Sequence, residues 1–580
     1  MATFEVWAPD QERVRVRTLG SDYEMATVGN GTWRATVSDA GPGTDYAFLL
    51  GDDGTPLPDP RSRWQPGGVH AASRLTDPAA YRWGDGAWTG RQLAGSVLYE
   101  MHIGTFTVEG TFAAAVERLD HLVDLGVDLV EVLPVNAVNG QHNWGYDGVA
   151  WFAVHEPYGG PDGFKGFVDE CHRRGLGVVL DVVYNHLGPS GAYLPRFGPF
   201  FKQGRSTWGE LVNLDGPGSP AVRRLILDNA RMWLDEYHVD GLRLDAVHAL
   251  VDQSATHLLE EMAVEVEALA THLRRPLSLI AESDQNDPRL VRSRDAGGYG
   301  LTAQWDDDVH HALHAVLTGE RQGYYADFGS LSTLAKAYTG AFVHDGAWSS
   351  FRGRPHGRPV DSGSTPAYRF VAFLQDHDQV GNRAVGDRLS ASLSPELLRV
   401  GAGLLLTGPF TPMLWMGEEW GASTPWQFFT SFPEPSLAEA VAAGRREEFA
   451  AHGWGVDDVP DPQDPETFAR SNLDWSEVGE QGHAELLEWY RRLIALRRSR
   501  PELSDPWLPG VRVAYDEDAR WLVVTRGALR VTVNLAPVRQ ELPLDGRPVS
   551  VLISSVPGFV YKDGSIEQEP ESLAVVELTE

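Results

Sequence analysis

The sequence has one cysteine, Cys171, in 580 residues, which excludes an intramolecular disulfide and any Cys-rich metal site. It is also short of positive charge: 49 Lys and Arg stand against 81 Asp and Glu, a formal net charge of −32. Such a field repels phosphate backbones and anionic lipid, so neither nucleic acid nor a membrane is an expected partner. Low-complexity tracts are missing, since 61 Gly and 37 Pro fall below the share that marks them. The first residues, Met-Ala-Thr-Phe-Glu, show no basic region followed by an apolar run, and a cytoplasmic protein is expected. The most apolar stretch, Val400 to Gly417, is interrupted by Pro409 and Pro412. It reads as a buried helix–loop–strand rather than a membrane span.

What is present divides into three regions. Residues 1–90 hold short alternating runs such as Phe4-Glu5-Val6-Trp7 and Arg13-Val14-Arg15-Val16-Arg17, punctuated by glycine-rich turns. They predict an N-terminal β-sandwich. Residues 503–580 return to that pattern and predict a C-terminal β domain. Between them, in 91–502, apolar runs alternate with helix-like stretches. The runs are Ser96–Gly104, Val127–Val135, Gly177–His186, Val239–Val247, Leu277–Ser283, Thr302–Asp308, Arg369–Asp378 and Phe410–Glu418. Helices are expected over Thr111–Leu125, Ser219–Tyr237 and Asp252–Leu273. Eight strands alternating with helices predict an α/β fold, a (β/α)8 TIM barrel. A doubly wound open sheet competes, but no GxGxxG or Walker pattern follows any strand.

The ends of these runs are loaded with polar groups: Asp181 to His186, Arg243, Asp245 and His248, Glu282 to Asp284, and Gln375 to Gln379. In a barrel such ends converge on one face. Any single one could merely cap the following helix, but four in succession point to chemistry. Two carboxylates flanking a glycosidic bond suffice for glycosyl transfer, one protonating the leaving oxygen and the other attacking the anomeric carbon or activating water. Arg243 and Asp245, two apart on a strand, share a face, and the guanidinium favours an ionised Asp245. Glu282 follows the apolar Leu279-Ile280-Ala281, which raises a carboxyl towards the general-acid range.

At these segments the chain resembles the α-amylase superfamily of retaining glycoside hydrolases. The resemblance implies Asp245 as nucleophile, Glu282 as proton donor and Asp378 as transition-state stabiliser. It implies Asp181, His186, Arg243 and His377 around the reacting glucose, and Tyr146, in Trp144-Gly145-Tyr146-Asp147, as its stacking platform. Ile280 to Arg289, Ala303 to His314, Leu317 to Tyr325 and Pro409 to Phe429 resemble the maltooligosyltrehalose trehalohydrolases in particular. That family cleaves the α-1,4 bond beside a terminal trehalose, and the resemblance implies coupling to a maltooligosyltrehalose synthase. Asp307, Asp308, His310 and His311 are then expected at sugar hydroxyls on the leaving-group side, with Gln379, Asn382, Asp147 and His248 nearby. One departure is Asp376, where the family's motif has Asn; an acid beside Asp378 should raise one carboxyl's pKa. A branching or debranching enzyme, or a non-catalytic carbohydrate-binding barrel, are the alternative readings.

His310 and His314, four apart, would share a helix face as a metal pair needs. No HExxH and no third ligand accompany them, and neither metal nor organic cofactor is expected. Asn185 occupies a position that helps bind calcium in many α-amylases, but the rest of that site is not recognisable. Of the 19 tryptophans, Trp144, Trp208 and Trp305 lie beside strand-end polar clusters. Cys171 reads as a small buried hydrophobe.

Overall fold

The computed structural model describes residues 1–451, 459–562 and 564–579. Its centre is a closed barrel of eight parallel strands: β1 (Leu98–Met101), β2 (Leu129–Val132), β3 (Gly177–Val182), β4 (Gly241–Leu244), β5 (Ser278–Ala281), β6 (Ala303–Trp305), β7 (Phe370–Phe373) and β8 (Thr411–Trp415). Each of the eight apolar runs supplies one strand, and every strand residue is buried. Such continuous burial is why these strands read as unbroken runs rather than alternating ones.

The expected helices form with adjusted ends. Ser219–Asp235 is one helix, while 111–125 divides into Phe112–Val116 and Leu119–Leu125. The third begins only at Leu258. Before it, the Asp252 carboxylate accepts from the amides of Ser254 and Leu258 and pairs with Arg223, holding 252–257 as a loop. Within the apolar 400–417 stretch, Ser394 caps the helix Pro395–Thr407, which runs into β8. Cys171 is fully buried on the helix Gly160–Arg173.

Two antiparallel sheets, of three and four strands, precede the barrel. They share a core in which Phe4 packs on Tyr46 at 4.9 Å between ring centroids. The chain then crosses beneath the barrel, where His172 bridges Asp85 (2.9 Å) and Asp240 (3.0 Å). Asp240 also accepts from Trp88 and Arg275, at 2.8 Å each. These buried, charge-assisted bonds hold the crossing segment against the barrel floor. Sheets of five and three antiparallel strands follow the barrel. No helix among the described residues is long and apolar enough to cross a membrane.

Candidate active site

Inside the barrel an apolar layer contains Leu98, Leu129, Val179, Ile280, Phe373 and Met413. Two residues further along each strand, on the same face, a polar layer begins: Glu100, Glu131 and Asp181, with Arg243 from β4 and Glu282 just beyond β5. The alternation of side chains thus changes the barrel's filling from hydrocarbon to charge at its C-terminal end.

Arg243 is fully buried and organises this layer. Its Nη1 donates to Asp181 (2.8 Å) and Asp245 (2.8 Å), and its Nη2 lies 3.7 Å from Glu282. Beneath it, Trp305 offers its ring face at 4.4 Å, so Trp305 supports the guanidinium from inside the barrel rather than facing sugar. The second oxygen of Asp245 accepts from Asn185 Nδ2 at 2.6 Å. Each Asp245 side-chain oxygen therefore holds one donor. Asn185 is itself bonded to His186.

Burial pushes the Glu282 carboxyl up to about 7, Arg243 drawing it down and Asp245 and Asp378 raising it. Burial likewise brings Asp181 up to about 6 against the pull of Arg243. Tyr146 donates to Asp181 at 2.6 Å and meets His377 Nε2 at 2.7 Å. His377 Nε2 lies 3.5 Å from Asp378, whose side chain is 45% exposed. The structure thus brings Asp181, Arg243, Asp245, Glu282, Tyr146, His377 and Asp378 into one connected cluster.

Around it, Asp147 accepts from Asn143 at 2.6 Å, and burial raises its carboxyl. Trp144 is buried, stacked on Trp426 at 4.4 Å. His248 stands 4.0 Å from Asp284, with the exposed Trp208 against its ring. Asn382 donates to Asp378 at 3.2 Å. Asp376 accepts from the Gln379 amide as the N-cap of the helix His377–Gly381. Its carboxyl is raised in the expected direction, first by burial and then by Glu100 and Asp378.

Three expected sugar contacts, Asp308, His310 and His311, are corrected by packing. Asp308 is buried and accepts from Asn286 Nδ2 (2.8 Å), Val343 N (2.8 Å) and His344 N (2.7 Å). Its carboxylate holds a loop and is not free for sugar. His310 is buried against Phe373, 3.1 Å from the Tyr325 hydroxyl, and His311 is buried on Tyr324. Gln379 stays partly exposed and lines a small cavity with His310, His314 and Arg383. Of the 307–311 group Asp307 alone stays partly exposed, its carboxyl raised by burial and by Glu282. His310 and His314 do share a helix face, but His314 is engaged by Glu320 at 2.8 Å.

Residues not singled out from sequence complete the site. Arg352 pairs with Asp284 at 2.7 Å, tying the loop after Glu282 to the hairpin 348–355. Arg445, on the helix Pro435–Ala451, donates to Asn382 (3.0 Å) and to the Gly381 carbonyl (2.6 Å). Glu100 and Glu131 are buried under the cluster. A charged residue inside an apolar strand run was their visible signal; the two arginines, on distant insertions, had none.

The α-amylase catalytic-domain family matches residues 77–197, and a domain family of unknown function matches 506–572. A malto-oligosyltrehalose trehalohydrolase of Rhizobium sp. is 56% identical over 99% of this chain and 97% of its own. One from Mycobacterium tuberculosis is 52% identical over the whole of both chains. The crystal structure of a putative alpha amylase from Salmonella typhimurium superposes with a TM-score of 0.91 at 40% identity, covering 100% of this chain and 97% of the other. With half or more of its residues identical to such relatives from end to end, and a barrel bearing the expected carboxylates at its C-terminal mouth, the chain belongs to the malto-oligosyltrehalose trehalohydrolase family of α-amylase-type glycoside hydrolases.

Proposed function

We propose that this enzyme hydrolyses the α-1,4-glucosidic bond next to the terminal trehalose of maltooligosyltrehalose, releasing trehalose by double displacement. The observation that carries the reading is the pairing around Arg243: an aspartate aimed by two hydrogen bonds beside a glutamate whose carboxyl is pushed up to about 7. Protonated Glu282 gives its proton to the glycosidic oxygen as Asp245 attacks the anomeric carbon, so trehalose leaves and a glycosyl ester forms. Ionised Glu282 then takes a proton from water, which attacks the same carbon and frees Asp245. Asp378, Asp181 and His377 hydrogen-bond the hydroxyls of the distorted sugar, and Tyr146 supplies its stacking face. Among the cleft residues, Asp307, Asn382, His248 and Asp147 are the candidates for contacts to the rest of the substrate.

The same reading takes residues 1–90, 91–502 and 503–580 as sandwich, catalytic barrel and C-terminal β domain. It places the enzyme in the cytoplasm, supplied with substrate by a maltooligosyltrehalose synthase. Its partners exclude nucleic acid and membrane, and it uses no metal or organic cofactor. Product analysis tests it: incubation with maltooligosyltrehalose should yield trehalose and a maltooligosaccharide as the first products. Appearance of glucose or maltose without trehalose would overturn it.

A further inference from the structure

The double displacement makes no use of Glu100 or Glu131, yet both lie directly under it. They face one another in the β1–β2 register, each only 1% exposed. With Asp181 they put three carboxyls in one layer of the barrel beside a single guanidinium, whose Nη1 is committed to Asp181 and Asp245. Glu131 Oε2 has no hydrogen-bond partner. A buried carboxylate without a donor is far less stable than its neutral acid, so Glu131 keeps its proton. Glu100 is placed differently: it accepts from the backbone N–H of His377 at 3.1 Å and meets its Nδ1 at 2.5 Å.

Hydrogen counting extends the argument to the cleft. Tyr146 has one hydroxyl proton, and it points to Asp181. Its oxygen must therefore accept at 2.7 Å from His377 Nε2, which places a proton on that nitrogen. Other groups facing the ring are Asp378 and Asp376 from its own helix, and Trp144, Trp305, Trp415 and Trp426 around it.

We propose that Glu100, backed by a neutral Glu131, is a positioning residue that locks His377 with its Nε2–H turned to the cleft, where it donates to the Tyr146 oxygen at the edge of the subsite for the reacting sugar. This rests on the reading of His377 as part of the subsite for the reacting glucose. With the proton on Nε2, a neutral ring accepts at Nδ1. The Glu100 carboxyl, which burial holds well above the usual range, therefore donates there through Oε1 while Oε2 accepts the backbone N–H. A carboxyl bonded behind an imidazole in this way fixes both ring orientation and protonated nitrogen, and removing such a partner typically lowers activity about 10–100-fold.

A double-mutant cycle tests it, run on maltooligosyltrehalose and on a maltooligosaccharide of equal length, with wild type alongside and melting curves for every variant. Glu100→Ala should lower kcat about 10–100-fold with KM within about threefold. Glu100→Gln, which keeps an acceptor for the backbone and a polar partner for Nδ1, should recover most of that loss. It also serves if the alanine variant does not fold. In a His377→Ala background either change should lower kcat less than about threefold, because Glu100 acts only through the ring. Equal losses in both backgrounds, or full kcat in Glu100→Ala, would overturn the proposal. Failure of the trehalohydrolase reading shows separately, as wild type releasing no trehalose, and the cycle is then read on the maltooligosaccharide.

Discussion

The backbone N–H of Ala246, the residue after Asp245, donates to Glu282 Oε2 at 2.6 Å. Ala246 adopts a left-handed conformation, φ 39° and ψ 53°, uncommon for a residue with a Cβ. That turn aims its amide at the neighbouring strand end, so one short stretch of chain carries Asp245 and orients Glu282. The spacing of the two carboxyls is thereby set by backbone geometry, as strain retained at functional sites allows.

Glu282 should govern the basic limb of the pH profile. It must be protonated to donate, and its carboxyl titrates at about 7, so kcat/KM should fall as pH rises through that value. Glu282→Gln should lower kcat on the natural substrate about 10²–10⁴-fold. On a glycosyl fluoride, whose leaving group needs no proton, it should retain far more activity and lose the basic limb. An unchanged limb in the variant would assign it to another group.

Asp245→Asn should abolish turnover with the fold intact, as loss of the nucleophile requires. Retention follows from double displacement. NMR of the reaction should show the α-anomer first at the new reducing end. A β-anomer appearing first would contradict the assignment.

Much of this arrangement was legible in the sequence. Eight apolar runs became eight strands because burial on both faces leaves them little room for polar residues, and the polar groups ending them met at one mouth. Asp307 to His311 were harder. They follow a strand end as cleft residues do, but the helix 307–318 turns Asp308 and His310 into packing, and spacing alone does not say which face of a helix looks outward. Trp305 lies beside a strand-end polar cluster, as its position suggested, on the strand's inward face under Arg243. Asp376 takes the capping role open to Asn or Asp alike.

The burial of Asp308 makes a stability prediction. Asp308→Ala leaves three donors without their acceptor and should destabilise the fold by about 3–5 kcal/mol, leaving substrate preference unchanged. Asp307→Ala should do the reverse. Denaturation curves and substrate ratios on both variants separate the two roles.

Glu131 should make stability depend on pH. Burial holds its carboxyl well above the usual range in the folded chain, whereas unfolded it ionises near about 4.3. Between those values the folded state binds the extra proton, so its contribution to stability falls as pH rises. Glu131→Gln never ionises, and its Tm relative to wild type should climb from pH 5 to pH 8. A constant difference would mean that Glu131 is ionised in the folded enzyme.

The central claim is specificity for trehalose as the leaving group, and the ratio of two kcat/KM values tests it most directly. Trehalose joins two anomeric carbons through one oxygen, so its hydroxyls lie where those of maltose do not. A site with polar groups placed for one isomer leaves them unpaired with the other. Measured side by side, kcat/KM for maltooligosyltrehalose should exceed that for a maltooligosaccharide of equal length by about 10²-fold or more. A ratio near one would contradict the account and leave a general α-1,4-glucan hydrolase.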